Sequence, residues 1–354
     1  VLAEATMLSR QQAIAGRPIS FAYVGGGTPS ALSERRIDRF LGGLREALPW
    51  DDALEVTFEC APRTVTPAKL QVLRDHGVTR ISMGVQAMDD EVLQSNGRIH
   101  RVADVMRAWE AITAADFPVA NLDLIVGLVG ETDVSFFASL DRLIALDPES
   151  VTIYQLEIPL NTPLYKAMKA GTLEGKPSGW DTKRTRLAAA FKRLESAGYH
   201  VRSAYTAVRD ARRHRFVYQD AQYAGADLLG LGASAFAHVS GVQHQNQAVL
   251  RKYIDAVAAG QLPLWRGHRM SADEAAVREM VLQWKLGRVD RRGFIKRHGV
   301  DPVARFAGAL GPLCEAGLAR VEPEAIVLTL EGLVHADRVL PGFYRPEHCG
   351  IRYS

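Results

Sequence analysis

The sequence predicts an α/β protein, an open or partial (β/α) barrel of six units followed by a C-terminal helical, winged-helix-like module. Three observations carry this. Short apolar, strand-like runs recur six times before residue 210. Helical patterns fall between them at about 30 to 40 residues per unit, the rhythm of a parallel sheet with helical crossovers. From 272 the pattern changes to amphipathic helices around one short strand-like stretch.

The elements follow in order. FAYV at 21 runs into Gly25, Gly26 and Gly27, then Thr28 and Pro29. Three glycines after a strand cost conformational entropy and pack nothing. They fit either a tight strand-to-helix turn or a backbone that approaches a ligand. SERRIDRFLGGLREAL comes next, with Ser33 as N-cap. LEVTFE at 54 leads to TPAKLQVLRDHG, with Thr66 as N-cap, Pro67 at the first helical position and Gly77 as the stop. RISMGV at 80 leads to DDEVLQSNGR and RVADVMRAWEAITAADF. ANLDLIVGL at 120 leads to ETDVSFFASLDRLIALD. SVTIYQLEI at 150 leads to GWDTKRTRLAAAFKRLESAGYH, and HVRSAYTAV at 200 is the sixth strand.

In such barrels the chemistry gathers at the C-terminal ends of the strands. Those ends carry residues that are wasteful for packing: GGGT on the first, Glu59 on the second, Gly84 and Gln86 on the third. The fourth holds Asn121 and Asp123 in an otherwise apolar run, and the fifth holds Gln155 and Glu157. Each could be a cap or a turn residue by itself, but five strands sharing the feature point to a site.

Beyond the strands, VRDARRHRFVY gathers Arg209, Arg212, Arg213, His214 and Arg215. This is either a solvated loop or an anion site for phosphates or carboxylates. GADLLGLGASAFAHVSG at 225–241 reads as a strand and turn near the same mouth. In the C-terminal module the first helix carries Asp273, Glu274 and Glu279, so it is no basic recognition helix and nucleic-acid binding is not expected. The expected division is 1–206 for the barrel, 207–271 for a connecting segment and 272–354 for the helical module.

Composition excludes several classes. Lys and Arg number 43 against 40 Asp and Glu, so no global charge draws the chain to nucleic acid or membrane. No apolar run is long enough to span a bilayer, and VLAEATMLSRQQAIAGRP lacks a signal peptide's basic start and apolar core. A cytoplasmic location is expected. Cys60, Cys314 and Cys349 are too widely spaced for a disulfide framework or a local metal motif.

YVGGGTP, EVTFECAP, RISMGVQAMDDEVLQSNGR, NLDLIVGL and GLGASAFAH followed by QNQ resemble the radical S-adenosylmethionine enzymes similar to oxygen-independent coproporphyrinogen III oxidase. GFYRPEHCGIRY near the C-terminus fits the same group. The resemblance implies a partial (β/α)6 TIM-like barrel holding a 4Fe–4S cluster and S-adenosylmethionine. Cleavage of that cofactor would give a 5′-deoxyadenosyl radical that takes a hydrogen atom from a small-molecule substrate. It also implies an electron donor such as flavodoxin or ferredoxin.

By the same resemblance, Gly26, Gly27 and Thr28 would approach the methionine end of the cofactor and Glu59 would meet its ammonium. Gln86 and Arg98 would bind the ribose and carboxylate region, and Asp123 and Ile125 would line the nucleoside pockets. Glu157 and Gln245 would touch a second S-adenosylmethionine. No catalytic residue is assigned; His238 and His348 are acid–base candidates, though a lone histidine is more often structural.

The chain departs from the family in one respect: it has no C-x3-C-x2-C run ahead of the GGGTP strand. Either the natural chain begins earlier, as the missing initiator Met suggests, or this is a degenerate member that carries a tetrapyrrole without radical chemistry. Three reactions stay open. TIYQLEIPLNTPLY reads like the class C methyltransferases and cyclopropanases, which act on an sp2 carbon, and this is the leading expectation. Porphyrinogen decarboxylation and non-catalytic haem binding are the alternatives.

Overall fold

The structure is a computed structural model that describes residues 1–159, 162–172 and 175–349. Leu160 and Asn161 of the TIYQLEIPLNTPLY segment, and residues 350–354 of the C-terminal run, lie outside the described residues.

Five strands stand parallel and in chain order: β1 (Phe21–Val24), β2 (Glu55–Cys60), β3 (Arg80–Gln86), β4 (Val119–Val126) and β5 (Ser150–Gln155). Helix α1 (Leu2–Ser9) precedes them. The crossovers are α2 (Glu34–Ala47), α3 (Pro67–Asp75), the pair α4 (Asp90–Ser95) and α5 (Val102–Ala114), and α6 (Asp133–Ala145). After β5 come α7 (Pro163–Ala170) and α8 (Trp180–Ser196).

Local chemistry sets these boundaries. Thr66 Oγ1 accepts from the Lys69 N–H at 3.3 Å, Pro67 opens α3, and Gly77 turns the chain away at φ +76°. Ser33 sits at the N-cap of α2, but its side chain makes no cap hydrogen bond. In α2, Ile37, Leu41 and Leu44 fall on one stripe and are buried. Alternation along β4 sends Leu122, Leu124 and Val126 into the helix-facing core and leaves Asn121, Asp123 and Ile125 on the inner face.

HVRSAYTAV is not one strand. It folds into a hairpin of β6 (His200–Val201) and β7 (Thr206–Val208), and β7 runs antiparallel to β5. The Ser203 hydroxyl is the cause: it accepts from the N–H groups of Tyr205 (3.2 Å) and Thr206 (3.0 Å), closing a turn inside the apolar run.

After α9 (Val217–Tyr223), a second sheet is built from β8 (Phe236–Val239), β9 (Val242–Asn246) and β10 (Leu264–Arg269), with α10 (Leu250–Ala258) between the last two. The Gly-rich stretch leans on the barrel through Leu229 and Leu231. A cavity of about 750 Å³ separates it from the outer edge of β1, lined by Tyr23, Gly25, Gly26, Gly27, Trp50 and Phe236 among others.

The C-terminal module packs α11 (Ala272–Lys285), α12 (Arg291–His298), α13 (Pro302–Arg305) and α14 (Ala307–Glu315) against a three-stranded antiparallel sheet. Its strands are β11 (Arg288–Asp290), β12 (Ala319–Val321) and β13 (Ala325–Leu328). It has its own core, centred on Trp284, Met280, Phe294, Phe306, Ile326 and Phe343. LEGLVHADRVL forms two short helices, α15 (Leu330–Val334) and α16 (Ala336–Val339), that meet at His335. Among the described residues no helix is long and apolar enough to cross a membrane.

Candidate functional site

The polar strand ends converge on the inner face of the barrel at its C-terminal rim. Glu59 lies near the end of β2, beside β1. Its carboxylate accepts from the Tyr23 hydroxyl at 2.6 Å and from the Gly26 N–H at 3.0 Å. The three glycines thus have different tasks. A Cβ on Gly25 would lie 2.5 Å from Tyr23 Cε1 and 2.7 Å from Glu59 Oε1, so only glycine leaves room for that pair. Gly26 and Gly27 take φ of +84° and +64°, and a Cβ on either would meet nothing within 4 Å. The turn therefore bends sharply and presents an open backbone edge beside a carboxylate. Thr28 follows at the start of a single 3-10 turn and makes no side-chain cap bond.

Asp123 faces the same space from β4. Asn121 Nδ2 donates to Asp123 Oδ1 at 2.7 Å and to Ser82 Oγ at 3.0 Å. Asn121 Oδ1 accepts from Ser150 (2.7 Å) and Thr152 (3.0 Å). All four hydrogen-bonding positions of Asn121 are used within this layer, so its role is scaffolding. Burial, with the Glu59 charge adding to it, pushes the Asp123 carboxyl up to about 7 against the hydrogen bonds that favour its ionised form. Ile125 lies two residues on, on the same face.

Gln86 closes β3 through a bulge and takes φ +68°, a left-handed conformation that a non-glycine residue holds only where its surroundings enforce it. Its amide curls back over Gly84, where a Cβ would sit 2.5 Å from Gln86 Nε2. His100 Nε2 hydrogen-bonds the Val85 carbonyl at 3.0 Å, and Asn96 Nδ2 donates to the Val129 carbonyl at 2.9 Å. These two contacts fix the loop that carries Arg98. Arg98 is exposed, and among the described residues its guanidinium has no hydrogen-bond or ion-pair partner.

The remaining candidates lie elsewhere or are otherwise engaged. Glu157 is exposed just past β5. Gln245 is buried in the second sheet, where Nε2 donates to the Ser234 carbonyl at 3.2 Å and Oε1 accepts from Arg266 at 2.8 Å. His238 is buried on β8, and His348 is exposed near the C-terminus.

The Arg-rich run is not part of this rim, and the side chains of Arg212, Arg213 and Arg215 are exposed. It packs under the opposite, N-terminal end of the barrel. Arg80 Nη2, at the start of β3, donates to the carbonyls of His214 (3.0 Å) and Arg215 (2.7 Å). Arg209 pairs with Asp147, just ahead of β5. The fit to substrate carboxylates drawn from those arginines therefore does not apply at the rim.

Sequence reasoning passed over the tyrosines. Tyr23, Tyr205, Tyr218 and Tyr223 are half-buried, and loss of solvent raises the pKa of each; Tyr154 is more exposed. Tyr23 stacks on Tyr218 with centroids 4.5 Å apart. Tyr205 donates to Asp337 at 2.8 Å, tying the hairpin to the C-terminal module. The signal was available in part: Tyr154 shares the inward alternation of Ser150 and Thr152.

The rim suits an amphoteric ligand: a carboxylate and a near-neutral acid, an open run of backbone, and, on the loop after α4, a cation without a partner among the described residues. Among the described residues no group of three His, Cys, Asp or Glu side chains could hold a metal ion. Cys60 is buried, and its thiol is pushed up to about 12 by that burial. A 4Fe–4S cluster therefore finds no ligand set in these residues.

Known proteins match this chain along most of its length. The sequence model of the Radical SAM superfamily matches residues 4–143. The heme chaperone HemW of Bacillus subtilis is 28% identical over 93% of this chain and 86% of its own length. The oxygen-independent coproporphyrinogen III oxidase of Escherichia coli is 27% identical over 93% of this chain and 74% of its own. The solved structure of that organism's coproporphyrinogen III oxidase, HemN, described as a radical SAM enzyme, superposes with a TM-score of 0.82 at 27% identity. It covers 97% of this chain and 81% of that one.

Proposed function

Because this chain is a radical S-adenosylmethionine protein of the oxygen-independent coproporphyrinogen III oxidase-like group, we propose that it binds S-adenosylmethionine at the barrel rim and acts on a tetrapyrrole. The family's cofactors are a 4Fe–4S cluster and S-adenosylmethionine, which together supply hydrogen-atom abstraction. What this chain's described residues contribute is the nucleotide site. The observation that carries the reading is the Glu59 carboxylate, held by Tyr23 and Gly26 next to an open glycine edge.

In this reading Glu59 takes the cofactor's ammonium in a charge-assisted contact. The Gly26–Gly27 edge lies along its methionine part, and Arg98 takes its carboxylate. Gln86 and Asp123 meet the ribose hydroxyls, and the near-neutral pKa of Asp123 lets it donate or accept there. Ile125 and the tyrosines keep the pocket apolar above Asn121.

The substrate class comes from the relatives, whose names are those of a coproporphyrinogen oxidase and a heme chaperone. Porphyrinogen decarboxylation is the first reading. Heme carriage is the second, supported by the chaperone's 28% identity over 93% of this chain. Methyl transfer rests on TIYQLEIPLNTPLY alone, and a second S-adenosylmethionine would need Glu157 and Gln245 to face one space. Flavodoxin or ferredoxin would serve as electron donor.

The test is anaerobic reconstitution of the full natural protein with iron and sulfide, then addition of reductant, S-adenosylmethionine and coproporphyrinogen III. Carbon dioxide with 5′-deoxyadenosine supports the oxidase. Stoichiometric heme binding without turnover supports the chaperone. S-Adenosylhomocysteine would move the assignment to methyl transfer. Failure to bind S-adenosylmethionine at all would overturn the reading.

A further inference from the structure

We propose that Tyr23 is a positioning residue: its hydroxyl fixes the Glu59 carboxylate in the orientation that recognises a ligand's ammonium group. The inference rests on the reading of Glu59 given above and adds to it a residue outside the glycine motif.

The geometry begins at the other end of β2. Glu55 Oε1 accepts from the Tyr218 N–H at 3.0 Å, and Oε2 accepts from the Val217 N–H at 3.2 Å, which pins the start of α9 beneath the barrel. The Tyr218 ring then stacks on Tyr23 at 4.5 Å and 28°, and against Phe21 edge-on at 5.7 Å. Phe216 packs beside both rings, 6.2 Å from Tyr23 and 5.9 Å from Tyr218. Tyr23 is thus held by rings as well as by its own strand. Its hydroxyl reaches Glu59 Oε1 at 2.6 Å, within the short range of an O–H donor meeting a charged acceptor.

The arrangement leaves Glu59 partly satisfied. One oxygen has the Tyr23 hydroxyl, the other has the Gly26 N–H, and each keeps acceptor capacity to spare. The two donors set the plane of the carboxylate. Without the hydroxyl, Oε1 would lose its only protein donor among the described residues, and a glutamate rotor held by one bond would spread over its broad terminal torsion. Gly25 shows how tightly this pair is built in, since a methyl group there would touch both Tyr23 and Glu59.

The experiment compares Tyr23→Phe and Glu59→Gln by equilibrium binding. One ligand is S-adenosylmethionine. The other is 5′-methylthioadenosine, which has the same nucleoside but neither ammonium nor carboxylate. Phenylalanine keeps the ring stack, so the thermal midpoint of Tyr23→Phe should stay close to that of the parent. Its affinity for S-adenosylmethionine should fall about tenfold, the scale of one hydrogen bond to a charged group, and its affinity for 5′-methylthioadenosine should not change. Equal losses for both ligands would mean that Tyr23 only shapes the pocket, and the inference would fall. So would an unchanged Tyr23→Phe beside a weakened Glu59→Gln. If Glu59→Gln itself binds S-adenosylmethionine normally, the failure lies in the reading of Glu59 instead.

Discussion

Arg80 and Glu55 form an ion pair at the sealed N-terminal end of the barrel, with Nε and Oε2 2.7 Å apart and side-chain exposures of 1% and 4%. Arg80 also lies over the Phe216 ring at 4.7 Å and donates to two carbonyls of the Arg-rich loop. Toward the opposite end of the same sheet lie Glu59 on β2 and Asp123 on β4. At one end of the barrel the charges serve closure, and at the other they line the inner face.

Removing one member of the sealed pair should therefore be costly. Glu55→Ala leaves a buried guanidinium without its carboxylate and frees the N–H groups of Val217 and Tyr218. A loss of about 3–5 kcal/mol is expected, read from the denaturant midpoint. A loss under about 1 kcal/mol would show that water reaches this end of the barrel.

Gly25 and Gly26 should fail differently. Gly25→Ala forces a methyl group against Tyr23 and Glu59, so ligand binding should suffer more than folding, with at least a tenfold loss of S-adenosylmethionine affinity. Gly26→Ala meets no atom within 4 Å but holds φ +84°, so it should cost about 1 kcal/mol of stability. Paired thermal melts and binding isotherms separate the two. Equal behaviour would contradict the division of labour drawn here.

How much of this was legible in the sequence depends on the range of the interaction. Thr66, Pro67 and Gly77 act within their own helix turn, and their roles could be read directly. The polar residues at the strand ends were legible because strand periodicity and barrel direction place them together. The hairpin at 200–208 was not, since one serine hydroxyl decides it inside an apolar run. The arginines of 209–215 were ambiguous because the partners of that loop are Arg80 and Asp147, more than 60 residues away in sequence. Tyr23 was hidden for a related reason. A tyrosine in a strand looks like packing until a neighbouring strand brings a carboxylate to its hydroxyl.

The Asp123 carboxyl gives a pH signature. Its folded pKa is about 7, above the ordinary 3.8, so the folded state binds this proton more tightly than the unfolded state does. Its contribution to stability is fully present below about pH 4 and is lost as pH rises through about 7. In the ligand-free protein, the difference in thermal midpoint between Asp123→Asn and the parent should grow in favour of the variant between pH 5 and 8. A constant difference across that range would mean that the carboxyl titrates normally.

Glu4 supplies the last prediction. It lies on α1 at 0% exposure, and among the described residues it forms no ion pair. Instead it accepts from three donors: the Gly232 N–H of the Gly-rich stretch at 2.9 Å, Asn246 Nδ2 on β9 and the Tyr253 hydroxyl on α10. A buried carboxylate is tolerated only where donors replace its water, and here they come from residues more than 220 positions away. Glu4→Gln replaces one acceptor oxygen with an NH2 group facing donors, so at least one bond becomes a repulsion. The cost should be about 2–4 kcal/mol, against about 1 kcal/mol for Tyr253→Phe, which removes a single hydroxyl. The two substitutions share one network, so the double variant should lose less than the sum. Hydrogen exchange should show α1 and residues 228–232 opening together in Glu4→Gln while β3 and β4 stay protected. Exchange confined to α1, with additive stabilities, would mean that Glu4 holds only its own helix and does not join the barrel's entry to the second sheet.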